Sequence, residues 1–126
     1  MTKDILVVKV GTSMLLGSHE QPSKVFDSIA QSIIDLSHKN NIVLVTSGAI
    51  GFGVTQLKLD ERPQDVAQLQ ALSMIGQVGL LRRWREAFHG VTIGQVLVTR
   101  NDLADEYAAK AFRNSIGSLW QYGSVP

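Results

Sequence analysis

The sequence contains no cysteine, which removes disulfides, thiolate nucleophiles and cysteine-based zinc sites together. It carries no excess of charge: twelve Lys and Arg stand against eleven Asp and Glu, a balance that favours neither nucleic acid nor a membrane surface as partner. Long hydrophobic runs are missing too. The opening Met1-Thr2-Lys3-Asp4 leads into an apolar run of strand length, too short for a signal-peptide core and far below a membrane span. A cytoplasmic protein acting on small molecules or other proteins is expected. His19, His38 and His89 fall in predicted loops or at helix ends without H-E-x-x-H spacing, so they read as surface residues, and no protein-borne metal site is expected.

Familiar phosphate and nucleophile motifs are absent as well. No G-x-x-x-x-G-K-[ST] occurs, and the nearest approach to G-x-G-x-x-G, at Gly51-Phe52-Gly53, has Gln56 where its third glycine belongs. Ser47 lacks the glycine two positions earlier that a hydrolase elbow requires, since Val45 stands there. The cluster Arg82-Arg83-Trp84-Arg85-Glu86 lies on one predicted helix and reads as a solvated face rather than a nucleic-acid footprint. Trp84, Phe88, Phe112 and Trp120 read as core or interface packing.

What is present is a layered pattern within one domain's length of 126 residues, 44% of them hydrophobic. Ile5-Leu6-Val7-Val8, closed by Gly11-Thr12-Ser13, predicts a central parallel strand buried on both faces. Val25, Phe26, Ile29, Ile33, Ile34 and Leu36 recur at helical spacing between Ser23 and Lys39. Ile42-Val43-Leu44-Val45 repeats the first run and ends in Thr46-Ser47-Gly48, completing a βαβ unit, with a glycine-punctuated stretch from Ala49 to Gly53. Two helical segments are expected from Gln64 to Phe88, with Gly76 and Gly79 permitting close packing or a bend. A third strand is predicted over Val91 to Val98, then a helix capped by Asn101 or Asp102 and reaching about Trp120. Val125-Pro126 reads as the first step of a fourth strand. The order predicts an α/β layered fold around a mostly parallel sheet.

Ligands of open parallel sheets bind beyond the carboxyl ends of the strands. Two loops there pair glycine with hydroxyls, Gly11-Thr12-Ser13 and Thr46-Ser47-Gly48, and both suit a phosphate or carboxylate. Lys9 is the only cation embedded in either apolar strand. Buried, it would need an anionic partner and would make a phosphate clamp. Alternatively it snorkels to an edge and the glycines only make turns.

Val7-Val8-Lys9-Val10-Gly11-Thr12-Ser13, Val45-Thr46-Ser47-Gly48-Ala49-Ile50 with Gly53, Gln70-Ala71-Leu72 with Ile75-Gly76-Gln77, and Gly94-Gln95-Val96-Leu97-Val98-Thr99-Arg100 with Asp102 resemble, in order and spacing, successive blocks of the glutamate 5-kinases of the amino acid kinase family. The resemblance implies a three-layer α/β/α fold and transfer of the ATP γ-phosphoryl group to the side-chain carboxylate of L-glutamate, giving glutamyl 5-phosphate for proline biosynthesis. Mg²⁺ would travel with the nucleotide, and a homo-oligomer is implied. By the same resemblance Lys9 would contact the transferring phosphate, Gly11, Thr12 and Ser13 would form the adjoining phosphate loop, and Ser47, Gly48 and Ala49 would bind glutamate. Residues 1–126 would then be the substrate-side half of an amino acid kinase domain, without the nucleotide-binding half and inactive alone. Two departures stand out: Leu69 where the family often has Lys, and Ala111-Phe112-Arg113 where it often has Asn-Ala-Arg. Alternatives are a non-catalytic glutamate-binding or dimerising module, and another amino acid kinase of the acetylglutamate kinase or aspartokinase type.

Overall fold

A computed structural model describes residues 2–17 and 21–126. Two strands, β1 (Asp4–Val10) and β2 (Asn40–Thr46), pair in parallel with Val7 opposite Val43 and Lys9 opposite Val45. Between them come a short helix α1 (Thr12–Leu16) and the crossover helix α2 (Pro22–Ser37). Proline in the first turn of α2 occupies a position whose N–H has no helical partner in any case. After β2 follow α3 (Ala49–Gln56), α4 (Val66–Ala87), α5 (Arg100–Ala104) and α6 (Glu106–Gln121). This is the expected α/β layering around a parallel sheet.

The strand period of two divides the sheet into two faces. Val8, Val10, Ile42 and Leu44 turn towards α2 and α4, where Phe26, Ile33, Leu80, Trp84 and Phe88 form the core. Phe26 meets Trp84 edge-on at 4.6 Å between ring centroids. The Trp84 indole is 1% exposed, and its N–H donates to Thr46 Oγ1 at 3.0 Å, so the largest core side chain leaves no polar atom stranded. Arg83 staples α2 to α4: its Nη2 donates to Ser23 O at 2.8 Å and Asp27 Oδ1 at 3.2 Å, and its guanidinium carbon lies 5.2 Å from the Phe26 ring centroid. The solvated-face reading therefore holds for Arg82 and Arg85 and fails for Arg83, whose side chain is 22% exposed.

Glycine sets how closely α3 and α4 approach. A Cβ on Gly76 would collide with the Ala49 carbonyl oxygen and the Gly53 amide, and one on Gly53 with the Leu72 carbonyl oxygen. Close packing at Gly76 is thus as expected. The two helical segments expected from Gln64 are one helix of 22 residues, started by Asp65, whose carboxylate accepts from Gln68 N at 3.0 Å. Packing against α3 keeps the glycines helical despite their propensity cost.

Other boundaries differ as well. Thr99, not Asn101 or Asp102, caps α5 through a reciprocal box with Asp102, and the predicted single helix breaks at Asp105, which caps α6. The segments read as a turn at Thr12 and a glycine-punctuated stretch at Ala49 are both helical.

The strand predictions need the larger corrections. β1 is not a central strand buried on both faces: among the described residues it pairs only with β2, and Ile5 and Val7 are 63% and 60% exposed. Its apolar run reports a strand suited to burial, whereas the cover depends on neighbours the run does not specify. The predicted third strand, Val91 to Val98, is reduced among the described residues to one parallel bridge from Ile93 to Val125, with Val125 N donating to Thr92 O at 2.9 Å. Val125 and Pro126 behave as the expected start of a strand, with Gly94 N donating to Val125 O and Leu44 N to Pro126 O, each at 2.9 Å. Beside β2 a groove of about 730 Å³ opens between the outer sheet face and α6, lined by Val7, Val45, Val96, Phe112, Ile116 and Trp120. The Trp120 indole N–H spans to Ile42 O at 2.8 Å and anchors α6 there.

Candidate functional site

β1 and β2 end side by side, and this brings the two glycine-hydroxyl loops together. Ser47 N donates to Val10 O at 3.1 Å, extending the ladder one step past β2. Thr12 Oγ1 donates to Ser47 Oγ at 3.0 Å, and Ser47 Oγ approaches Val10 O at 3.4 Å. Thr46, which also lines the cleft, differs in that its hydroxyl accepts from Trp84 and donates its proton to Ser47 O at 3.1 Å. Ser47 remains exposed, with acceptor capacity unused.

Gly48 then turns the chain into α3 at φ +118°, a conformation that an L side chain rarely adopts. No side chain caps the helix, and its first internal bond runs from Phe52 N to Gly48 O. The amides of Ala49, Ile50 and Gly51 are therefore the unpaired donors that any helix start presents, and all three residues line one cleft. That cleft, of about 300 Å³, is also lined by Thr12, Ser47, Arg62, Ser73, Gln77 and Leu80. Its inner wall is closed by Leu80, in van der Waals reach of a Cβ at Gly48. Hydroxyls, amides and one guanidinium make a lining that attracts an anion.

The predicted site residues divide. Thr12, Ser47, Gly48 and Ala49 meet at the cleft. Gly11 caps α1 next to them, and Ser13 lies exposed in its first turn. Lys9 is exposed on the outer sheet face with Val7 and does not line the cleft. The buried ammonium requiring a partner is thus corrected to a solvated one, because β1 is uncovered on that side. His38 and His89 are exposed as expected, and His19 lies outside the described residues. Arg62, Ser73 and Gln77 were missed. Gln77 belongs to a block that carried the resemblance, but Arg62 looked only like part of a proline-marked loop.

Residues 4–126 match the amino acid kinase family, and the chain belongs to that family. Within it, the chain is similar to glutamate 5-kinases. It is 37% identical to that of Syntrophotalea carbinolica, over all of this chain and 36% of the relative. It is 39% identical to that of Thermosynechococcus vestitus, over 96% of this chain and 34% of the relative. With the glutamate 5-kinase of Symbiobacterium thermophilum the identity is 37%, over 96% of this chain and 48% of the relative. The chain thus spans about a third to a half of the length of the curated relatives it matches. Among the described residues no helix is long and apolar enough to cross a membrane.

Proposed function

We propose that residues 1–126 form the substrate-side part of an amino acid kinase domain that phosphorylates the side-chain carboxylate of L-glutamate. In the reaction a carboxylate oxygen attacks the γ-phosphorus of ATP, the bond from that phosphorus to the ADP oxygen breaks, and glutamyl 5-phosphate and ADP result, a step of proline biosynthesis. The observation that carries this reading is the cleft at the strand ends, where the Ser47 hydroxyl and the Ala49–Gly51 amides converge, in a chain similar to glutamate 5-kinases along nearly its whole length.

Both reactants are anionic, so neutralising charge and holding geometry carry most of such catalysis. Ser47, Gly48 and Ala49 hold the amino acid, and the donors there fit a carboxylate. Gly11, Thr12 and Ser13 serve the transferring phosphate, and Lys9, which stands on the outer sheet face, is assigned to it by the family resemblance alone. That donor set fits a phosphate in kind, a cation and hydroxyls on a loop where a Cβ at Gly11 would have nothing within 4 Å. ATP supplies the phosphoryl group and brings Mg²⁺ with it. The protein works in the cytoplasm as a homo-oligomer, and the 126-residue chain alone binds glutamate without turning it over.

A second reading, a glutamate-binding module without phosphoryl transfer, draws support from Lys9, which stands outside the cleft. Titration calorimetry separates the two. Glutamate binding lost in Ser47→Ala, together with ATP binding weakened by Lys9→Ala, supports the kinase. Glutamate binding with no ATP response under any condition, even when a nucleotide-binding half from a relative is joined, supports the module.

A further inference from the structure

We propose that the outer face of α4 is the surface on which two copies of this chain pair, antiparallel about a two-fold axis; this gives the homo-oligomer of the proposed function its surface and rests on no other part of that reading. From Val66 to Leu81 the helix carries no charged residue. Its inner face is the core stripe of Leu72, Gly76, Leu80 and Trp84. The opposite face is apolar as well, with Met74 and Val78 each 73% exposed. The other long helices show how a solvated face is built in this protein: α2 exposes Lys24 and Asp35, and α6 exposes Glu106, Lys110 and Arg113. A helix that is apolar on both faces is suited to cover on both.

The spacing points to another helix as that cover. Ala67, Ala71, Met74, Val78, Leu81 and Arg85 follow one another in alternating steps of four and three, the seam of a helix packed lengthwise on a helix. Size is graded along the seam, with alanines at the amino end and Val78 and Leu81 at the carboxyl end. A two-fold axis at Met74 sets Ala67 opposite Leu81 of a second copy and Ala71 opposite its Val78. Each layer then joins a small side chain to a large one, as close packing requires, and the same patch serves both copies. Parallel pairing would stack alanine on alanine and Arg85 on Arg85. No ion pair among the described residues engages Arg85, and the antiparallel arrangement brings it to the start of the other α4, where Asp65 supplies a carboxylate. The seam from Ala67 to Leu81 is about 21 Å long, which places the interface at the small end of specific ones and makes pairing depend on concentration. Ser73 and Gln77, each one residue before a seam position, line the cleft, so pairing sets the second copy beside the α4 wall of the site.

The test is sedimentation velocity of the 126-residue chain over a concentration series, in wild type, Met74→Lys and Leu97→Lys, with circular dichroism to verify the fold. Leu97 is exposed and lines the apolar groove beside β2, so its variant reports pairing through that groove instead. The expected result is equal dimerisation of wild type and Leu97→Lys. In Met74→Lys, whose new ammoniums meet at the axis, pairing weakens by about tenfold or more. Because the sequence has no cysteine, single thiols then read the register under oxidised glutathione: Met74→Cys couples to itself, whereas Ala67→Cys couples to Leu81→Cys and not to itself. Self-coupling of Ala67→Cys overturns the antiparallel arrangement. A dimer unmoved by Met74→Lys, or weakened by Leu97→Lys, overturns the role of α4 and leaves the homo-oligomer standing. A chain that stays monomeric, with the Met74→Cys thiol protected only when the remaining part of a relative is joined to it, assigns the face to that part and overturns the inference. A chain monomeric under every condition contradicts both inference and oligomer, while glutamate binding by the same samples decides the substrate reading separately.

Discussion

Gly76→Ala inserts one methyl at the crossing of α3 and α4, and its cost follows from what that methyl meets. The obstacles are the Ala49 carbonyl oxygen and the Gly53 amide nitrogen, both backbone atoms of α3, so no side-chain rotation relieves the overlap and the helices must separate. Overpacking of this kind costs about 1–3 kcal/mol, and a backbone obstacle places it at the upper end. Alanine returns up to about 1 kcal/mol of helix propensity, leaving a net loss of about 1–2 kcal/mol. Gly117→Ala is the control, because a Cβ there has nothing within 4 Å and the residue lies inside α6. The same substitution then stabilises by about 0.5–1 kcal/mol through propensity and unfolded-state entropy. Urea unfolding of the two variants against wild type reads both values, and midpoints should move in opposite directions. Since α3 carries the Gly48–Gly51 turn, Gly76→Ala should also shift the amides of Ser47 to Gly51. A Gly76→Ala chain as stable as Gly117→Ala would refute the close contact on which the cleft is built.

Replacing Arg83 by Ala removes two hydrogen bonds and a cation over Phe26, and should cost about 1–2 kcal/mol in urea unfolding, whereas Arg85→Ala, on the exposed face, should stay within about 0.5 kcal/mol. Gly48→Ala forces a side chain to φ +118°, which should cost about 1–3 kcal/mol and abolish glutamate binding by calorimetry even where the fold survives. The Asp102 carboxyl is held below its ordinary value by the Thr99 hydroxyl first and the Thr99 amide second. Its folded value is depressed, so the cap's contribution is fully present above the unfolded carboxylate value of about 3.9. It is lost as pH falls through the folded value, and α5 amide protection should decline there in wild type and be absent already at neutral pH in Asp102→Ala.

Legibility in the sequence followed the range of the interactions concerned. The crossover helix was readable to within two residues of Pro22–Ser37 because amphipathic spacing is a local signal. Thr12, Ser47, Gly48 and Ala49 were also legible, since small residues at the ends of two apolar runs mark the place where parallel strands bind ligands. Burial of β1 was misjudged because it depends on strands beside it and not on its own composition. The Ala49–Gln56 helix was hidden by its glycines, whose low propensity is outweighed by the contact with Leu72 and Gly76. Arg62 reaches the cleft only through the path of the α3–α4 loop, and a loop path carries no periodicity to read.

The most direct test grafts residues 4–126 of this chain in place of the corresponding stretch of the Syntrophotalea carbinolica relative and measures ADP formation with Mg²⁺, ATP and candidate amino acids. ADP release that requires L-glutamate, disappears in Ser47→Ala and falls steeply in Lys9→Ala is the predicted result. A folded chimera that turns over aspartate or N-acetylglutamate but not glutamate, or that works unchanged without the Ser47 hydroxyl, would contradict the assignment of this cleft.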